Sequence, residues 1–186
     1  ERQSMQRQSS LFPKKFSSLC YGGTLRQKRN GRGARPLSKA HAHHVVLKAN
    51  FKGTSMSFLK PKYFGQLEKL LRDTAERFRV RIDQRAWERD HAHLLIRVTS
   101  RELYKAFIRV LTSLVVRVVT EGPARLRGGG KVWKHRPFSR IVKGYRAYRI
   151  AKAYVRLNEL EAQGRIPYRK ERLRGLEPPE YELVWG

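Results

Sequence analysis

The sequence predicts an α+β fold: an antiparallel sheet, helices on one face, and a further helix at the C-terminal end. Two observations carry this. Apolar residues at spacings of three and four run through 64–78 and 103–118, the period of amphipathic helices. Short apolar, β-branched runs at 45–49, 80–87, 91–98 and 137–142 read as strands. Taken in chain order they give β-α-β-β-α-β followed by a helix, the split βαβ arrangement called ferredoxin-like.

Each element follows from its local residues. Val45-Val46-Leu47-Lys48-Ala49 is the first strand. His41-Ala42-His43-His44 precedes it. His41 and His43 are set aside because they come before the apolar run instead of leading into it. His44, at the strand start, stays open between a site position and a packing or phosphate-contact role. Residues 51–60 form a loop, and Pro61 suits a first helical turn because its φ is already set. Phe64, Leu67, Leu70, Leu71, Thr74, Ala75 and Phe78 then mark an amphipathic helix of roughly 17 residues. Val80 to Trp87 alternates as a second strand, and the charged turn Glu88-Arg89-Asp90 leads into the third.

Ser100 is an N-cap with Glu102 in the first turn. Leu103, Phe107, Leu111, Leu114, Val115 and Val118 form the inward stripe of a second helix ending near Gly122-Pro123. Gly128-Gly129-Gly130 reads as a linker. A glycine phosphate cradle needs a helix start behind it, and Trp133-Lys134 follows instead. Pro137 to Val142 is a fourth strand. A third helix runs from about Tyr145 to Gln163 and closes at Gly164. The chain thus divides into a basic N-terminal arm (1–40), a folded domain (41–166) and an irregular C-terminal tail (167–186).

Charge narrows the partner. The 186 residues hold 42 Lys/Arg against 15 Asp/Glu, a net charge of +27. Such a chain repels itself when folded and attracts a polyanion, whose counterions are released on binding. Nucleic acid is the partner class. A membrane partner is not expected: no apolar stretch approaches the roughly 20 residues of a spanning helix, and no secretory signal is visible. The lone Cys20 excludes an internal disulfide framework and fits a reducing cytoplasm, with nucleoid or ribosome association. The arm carries ten Lys/Arg against one acid, Glu1. Arg26, Lys28, Arg29, Arg32 and Arg35 are its candidate nucleic-acid contacts.

Two short motifs carry chemistry. In Asp90-His91-Ala92-His93-Leu94-Leu95-Ile96, strand alternation projects His91 and His93 from one face. Two imidazoles side by side make half of a divalent-metal site. A packed or hydrogen-bonding pair is the commoner use of the same spacing. In the last helix, Tyr154 and Asn158 stand four residues apart on one face. A tyrosine hydroxyl can attack phosphorus, a metal can polarise the phosphate, and Asn158 offers a neutral oxygen ligand. Packing is the commoner use of a helical tyrosine, and Tyr145, Tyr148 and Tyr168 compete for the role.

These residues resemble a family. His91-Ala92-His93-Leu94-Leu95-Ile96 resembles the HUH motif (U hydrophobic) of single-tyrosine transposases of the REP-associated and insertion-sequence type. Tyr154-Val155-Arg156-Leu157-Asn158 is similar to their helix motif, a tyrosine followed four residues later by Asn or Gln. Trp133 to Phe138 sits where the family carries an aromatic-rich segment. The resemblance spans roughly 35–168 and implies a mechanism. His91 and His93, with Asn158 as third ligand, would hold Mg²⁺ or Mn²⁺ on a scissile phosphate. Tyr154 would attack it, leaving a 5′-phosphotyrosine and a free 3′-hydroxyl, and another 3′-hydroxyl would reverse the step. Such enzymes act on single-stranded hairpin DNA, commonly as homodimers.

Two features depart from the family pattern. Asp90 stands where these proteins often have Asn, and the arm carries more charge than short hairpins require. The alternative is therefore a domesticated, non-catalytic protein that binds structured RNA or the ribosome. A metal-dependent nuclease without strand joining is a third reading. The two motifs favour the transposase, and the arm favours the binder.

Overall fold

The computed structural model describes residues 19–23, 34–122, 130–169, 180 and 183–184. Five strands form one antiparallel sheet: β1 (Cys20–Tyr21), β2 (Ala42–Lys48), β3 (Arg81–Trp87), β4 (His91–Arg97) and β5 (Phe138–Val142). Their order is β1-β5-β2-β4-β3. Without β1, this is the expected split βαβ order, with β2 and β4 as the two inner strands. The register places His44 opposite Leu95, Val46 opposite His93 and Lys48 opposite His91.

Helices α1 (Pro61–Arg77) and α2 (Arg101–Val119) cover one face of the sheet. Alternation along β2 and β4 turns Val45, Leu47, Ala92, Leu94 and Ile96 towards Leu67, Leu71, Phe107, Leu111 and Val115, and all of these are buried. Helix α3 (Tyr145–Ala162) lies on the opposite face, where Leu95, Ala42 and Val142 meet its Ala147, Tyr148 and Ala151. Ser100 caps α2 by accepting a hydrogen bond from the Leu103 backbone N–H at 3.1 Å. Gly164, at φ 68°, follows α3 in the left-handed conformation that glycine adopts without strain.

Five expectations change. The first strand starts at Ala42, not Val45, so His43 and His44 lie inside it. Their backbones pair with β4 on one side and β5 on the other, a long-range benefit invisible in the local run. The buried stripe of α2 is Tyr104, Phe107, Leu111, Val115 and Val119, while Leu103, Leu114 and Val118 are only half-buried. The polar stripe Glu102, Lys105, Arg109, Ser113 and Arg117 marks the outer face, and the buried stripe is turned slightly from the expected one, towards Tyr104 and Val119. On α1, Tyr63 joins the buried set, and Phe64, Leu70 and Phe78 sit at its margin.

The fourth change concerns the arm, which contributes strand β1. Cys20 pairs with Arg140 and Tyr21 with Ser139. Gly22 makes this close approach possible: a Cβ there would lie 2.1 Å from the Pro137 carbonyl oxygen. Arg35 completes the edge. It donates to the Ser139 hydroxyl and to the Pro137 carbonyl at 2.8 Å, and its guanidinium covers the Tyr21 ring. Arg26, Lys28, Arg29, Arg32 and the glycines Gly128 and Gly129 lie outside the described residues. At the other end, Val184 of the expected tail is buried with Ala153, Leu157, Leu160 and Ile166. Among the described residues, no helix is long and apolar enough to cross a membrane.

Two β2 histidines make the fold acid-sensitive. Burial is the main force lowering both His43 and His44 to about 4, aided at His43 by the charges of Arg35 and His41 and at His44 by Arg140. The unfolded chain takes up these protons from about pH 6.5 downward, whereas the folded chain refuses them until about 4. Their contribution to stability is therefore full above pH 6.5 and declines as pH falls towards 4. The loss is on the order of 3 kcal/mol per histidine. Urea midpoints measured from pH 7 to 4 should fall steeply, and His43→Gln should flatten the slope. An unchanged slope in that variant would remove His43 from the account.

Candidate metal centre and the tyrosine helix

The site grows from the β3–β4 hairpin. The Glu88 backbone N–H donates to the His91 carbonyl at 2.8 Å, closing the turn and placing Glu88 beside the start of β4. Alternation along β4 then projects His91, His93 and Leu95 towards α3. Glu88 Oε2 lies 3.1 Å from His91 Nε2, and Glu88 Oε1 lies 3.6 Å from His93 Nε2. Glu88, His91 and His93 each present one ligand atom within 4.8 Å of the others, a group able to hold a divalent metal ion.

The outer nitrogens of both rings are also engaged. His91 Nδ1 is 2.7 Å from Asp90 Oδ1, and Lys48 Nζ holds the other Asp90 oxygen at 3.0 Å. His93 Nδ1 is 3.0 Å from His44 Nε2, with the two rings stacked 5.2 Å apart. Burial pulls the His91 pKa down, but hydrogen bonds to Glu88 and Asp90 outweigh it, and the net shift is upward. For Asp90, burial acts upward and is outweighed by the bonds from His91 and Lys48, so the net shift is downward.

Helix α3 brings the tyrosine. The Tyr154 ring meets His93 edge-on at 5.5 Å and His44 at 5.9 Å. The competitors lie elsewhere: Tyr145 and Tyr168 are 75% and 73% exposed, and Tyr148 lies under the Arg97 guanidinium. Asn158, one turn on and 1% exposed, donates from Nδ2 to the Tyr154 carbonyl at 2.7 Å. Its Oδ1 is buried and accepts no hydrogen bond from the described residues. A buried oxygen left without a donor is the kind of atom a cation satisfies. The helix is held in place by Gln84 on β3, whose Nε2 donates to Glu159 Oε2 at 2.8 Å.

The structure therefore brings His91, His93 and Tyr154 together, with Asn158 next to the tyrosine on the same helix. One further member was left open and one was missed. His44 was left open because its strand was drawn three residues short. Glu88 was read as a turn residue. Its signal was the spacing Glu-x-x-His-x-His across a tight hairpin, which carries a carboxylate back onto the face of the two histidines.

Comparison with known proteins gives the family. Residues 38–158 match the family described as IS200-like transposases. Among solved structures, a REP-associated tyrosine transposase bound to a REP hairpin aligns with a TM-score of 0.52 at 13% identity, covering 84% of this chain and 92% of that one. At that identity the likeness concerns the fold alone. A candidate transposase from Deinococcus radiodurans R1 aligns with a TM-score of 0.40 at 17% identity, covering 59% of this chain and 83% of its own, too weak to carry an argument. No curated protein sequence matches the chain. The matched stretch contains Glu88, both histidines of the strand, Tyr154 and Asn158, and the chain belongs to the IS200-like transposase family.

Proposed function

We propose that this transposase cleaves and rejoins single-stranded hairpin DNA through a covalent bond to Tyr154, with a divalent metal ion as cofactor. The observation that carries the reading is the contact of the Tyr154 ring with His93, a member of the Glu88–His91–His93 group. That group, with Asn158 Oδ1, would hold Mg²⁺ or Mn²⁺, since its mixed nitrogen and oxygen donors accept either. Bound there, the ion supplies Lewis-acid polarisation of a phosphoryl oxygen.

The chain's own part is nucleophilic. The Tyr154 phenol loses its proton and its oxygen attacks the scissile phosphorus. A P–O bond to the tyrosine forms as the P–O3′ bond breaks, and the departing 3′-oxygen gains a proton. The 5′-phosphotyrosine keeps the energy of the broken bond, so attack by a second 3′-hydroxyl joins a new strand without an external energy source. Nucleic acid is drawn in by the +27 charge. The hairpin carried by the REP-associated structural neighbour supports hairpin DNA as the form recognised. In this reading Arg26, Lys28, Arg29 and Arg32 supply phosphate contacts, while Arg35 serves the sheet edge.

The test is incubation of purified protein with a pool of labelled single-stranded hairpin DNAs and Mn²⁺, read on a denaturing gel. A slow, protease-sensitive band that disappears with EDTA is expected. Shortened DNA without that band would replace the reading with a metal-dependent nuclease. No reaction across the pool, alongside tight and salt-sensitive RNA binding, would replace it with the RNA- or ribosome-associated binder.

A further inference from the structure

We propose that His44 is a positioning residue: it holds the His93 proton on Nδ1 and so keeps His93 Nε2 in the unprotonated form that can bind a metal, while Asp90 fixes the Nδ1 proton of His91. The inference rests on the metal site proposed above and adds two residues outside its ligand set.

The argument is geometric. A neutral imidazole binds a metal through the nitrogen that lacks a proton, and a hydrogen bond at the other nitrogen decides which one that is. Both ligand rings turn Nε2 towards the Glu88 carboxylate, at 3.1 Å for His91 and 3.6 Å for His93. Their Nδ1 atoms meet two different partners. At His91 the acceptor is the Asp90 carboxylate, which can only accept, so Nδ1 carries a proton; Nε2 faces Glu88 in the same way, and a cation there takes the place of the Nε2 proton. Lys48 holds that carboxylate from β2.

At His93 the partner is His44 Nε2, 3.0 Å away, and a single proton lies between the two nitrogens. Were it on His44, His93 would carry its own proton on Nε2 and could not ligate through that atom. With it on His93, Nε2 is available and faces Glu88. His44 is suited to hold this arrangement. It is buried in an inner strand, with Leu95 opposite on one side and Arg140 opposite on the other, so its backbone is fixed from both edges. His91 and His93 lie at 79° to one another, and their Nδ1 atoms meet separate partners, Asp90 and His44.

The test compares His44→Phe with His44→Gln. Phenylalanine keeps the stacking on His93 and the edge contact with Tyr154 but accepts no hydrogen bond. Glutamine offers an acceptor oxygen. In metal-free protein, long-range ¹⁵N–¹H correlation spectra should show His93 protonated on Nδ1 in the wild type. His44→Phe should show the Nε2-protonated form. Mn²⁺ affinity, followed by electron paramagnetic resonance, should fall about 10- to 100-fold in His44→Phe and stay within a few-fold of wild type in His44→Gln. Asp90→Ala should show a comparable loss. Wild-type His93 protonated on Nε2, or equal Mn²⁺ affinity in His44→Phe and wild type, would overturn the proposal. Neither readout involves DNA, so a protein that binds Mn²⁺ as described but forms no covalent DNA adduct would overturn the transposition mechanism and leave the role of His44 standing.

Discussion

Tyr154→Phe should abolish the covalent DNA adduct while leaving hairpin binding nearly unchanged. The substitution removes one atom, the hydroxyl oxygen proposed to attack phosphorus. It keeps the ring that meets His93 at 5.5 Å and His44 at 5.9 Å. The Asn158 side chain bonds to the Tyr154 carbonyl, not to its hydroxyl, so that contact survives as well. Removing a catalytic nucleophile typically costs ~10⁴-fold or more in rate, whereas deleting one half-buried hydroxyl costs about 1 kcal/mol or less of stability. Adduct formation on a denaturing gel should therefore vanish, with the melting temperature shifted by only a few degrees. Hairpin affinity in a mobility-shift assay should stay within a few-fold. An adduct that persists would move the nucleophile to another side chain, identifiable as the phosphorylated residue in a tryptic digest.

Much of the fold could be read from local sequence, for a physical reason. The four long strands and three helices each bury one face, and burial imposes a period on the sequence. Pro61 and Ser100 marked two helix starts because their chemistry suits a first turn and an N-cap. What could not be read depended on partners far along the chain. Strand β1 is two residues long, too short for any period, and exists because β5 offers an open edge and Arg35 ties Ser139 and Pro137 to the incoming segment. Val184, expected in a tail, is buried because α3 leaves an apolar patch around Leu157 and Leu160. The α2 stripe shows the same limit. Its polar face was visible as Glu102, Lys105, Arg109, Ser113 and Arg117, but which apolar residues at the margin are covered depends on the elements it packs against.

The site divides in the same way. His91 and His93 were legible because strand alternation alone puts them on one face, and Tyr154 and Asn158 because one helical turn does the same. No local rule says that these two pairs meet. That requires α3 to cross β3 and β4 on the face away from α1 and α2, with Gln84 and Glu159 bonded across the contact. Glu88 was missed and His44 left open because they reach the histidines through a turn and a neighbouring strand. Asp90, noted only as a departure from the family pattern, is explained by its bridge between His91 and Lys48.

His93→Ala should be the most damaging substitution among the proposed ligands, because it removes the centre of the site. His93 is buried, faces Glu88 through Nε2 and His44 through Nδ1, and carries the edge of Tyr154. Alanine deletes a donor to the metal, the contact that seats the tyrosine and the partner of His44 in one step. Losing the Lewis acid forfeits several kcal/mol of transition-state charge stabilisation, about a thousand-fold or more in cleavage rate. The empty volume and the unpartnered His44 should cost a further ~1–3 kcal/mol of fold stability. These effects separate experimentally. Cleavage and Mn²⁺ binding should both collapse at a temperature where circular dichroism shows the variant still folded. Nucleic-acid binding without metal should persist, because the +27 charge that attracts a polyanion is left almost unchanged. Asn158→Ala is the informative companion. If its Mn²⁺ affinity falls with that of His93→Ala, the buried Asn158 oxygen belongs to the ligand set. If affinity is retained while Glu88→Gln loses it, the carboxylate of the hairpin turn has taken the place that the family resemblance gives to the helix amide.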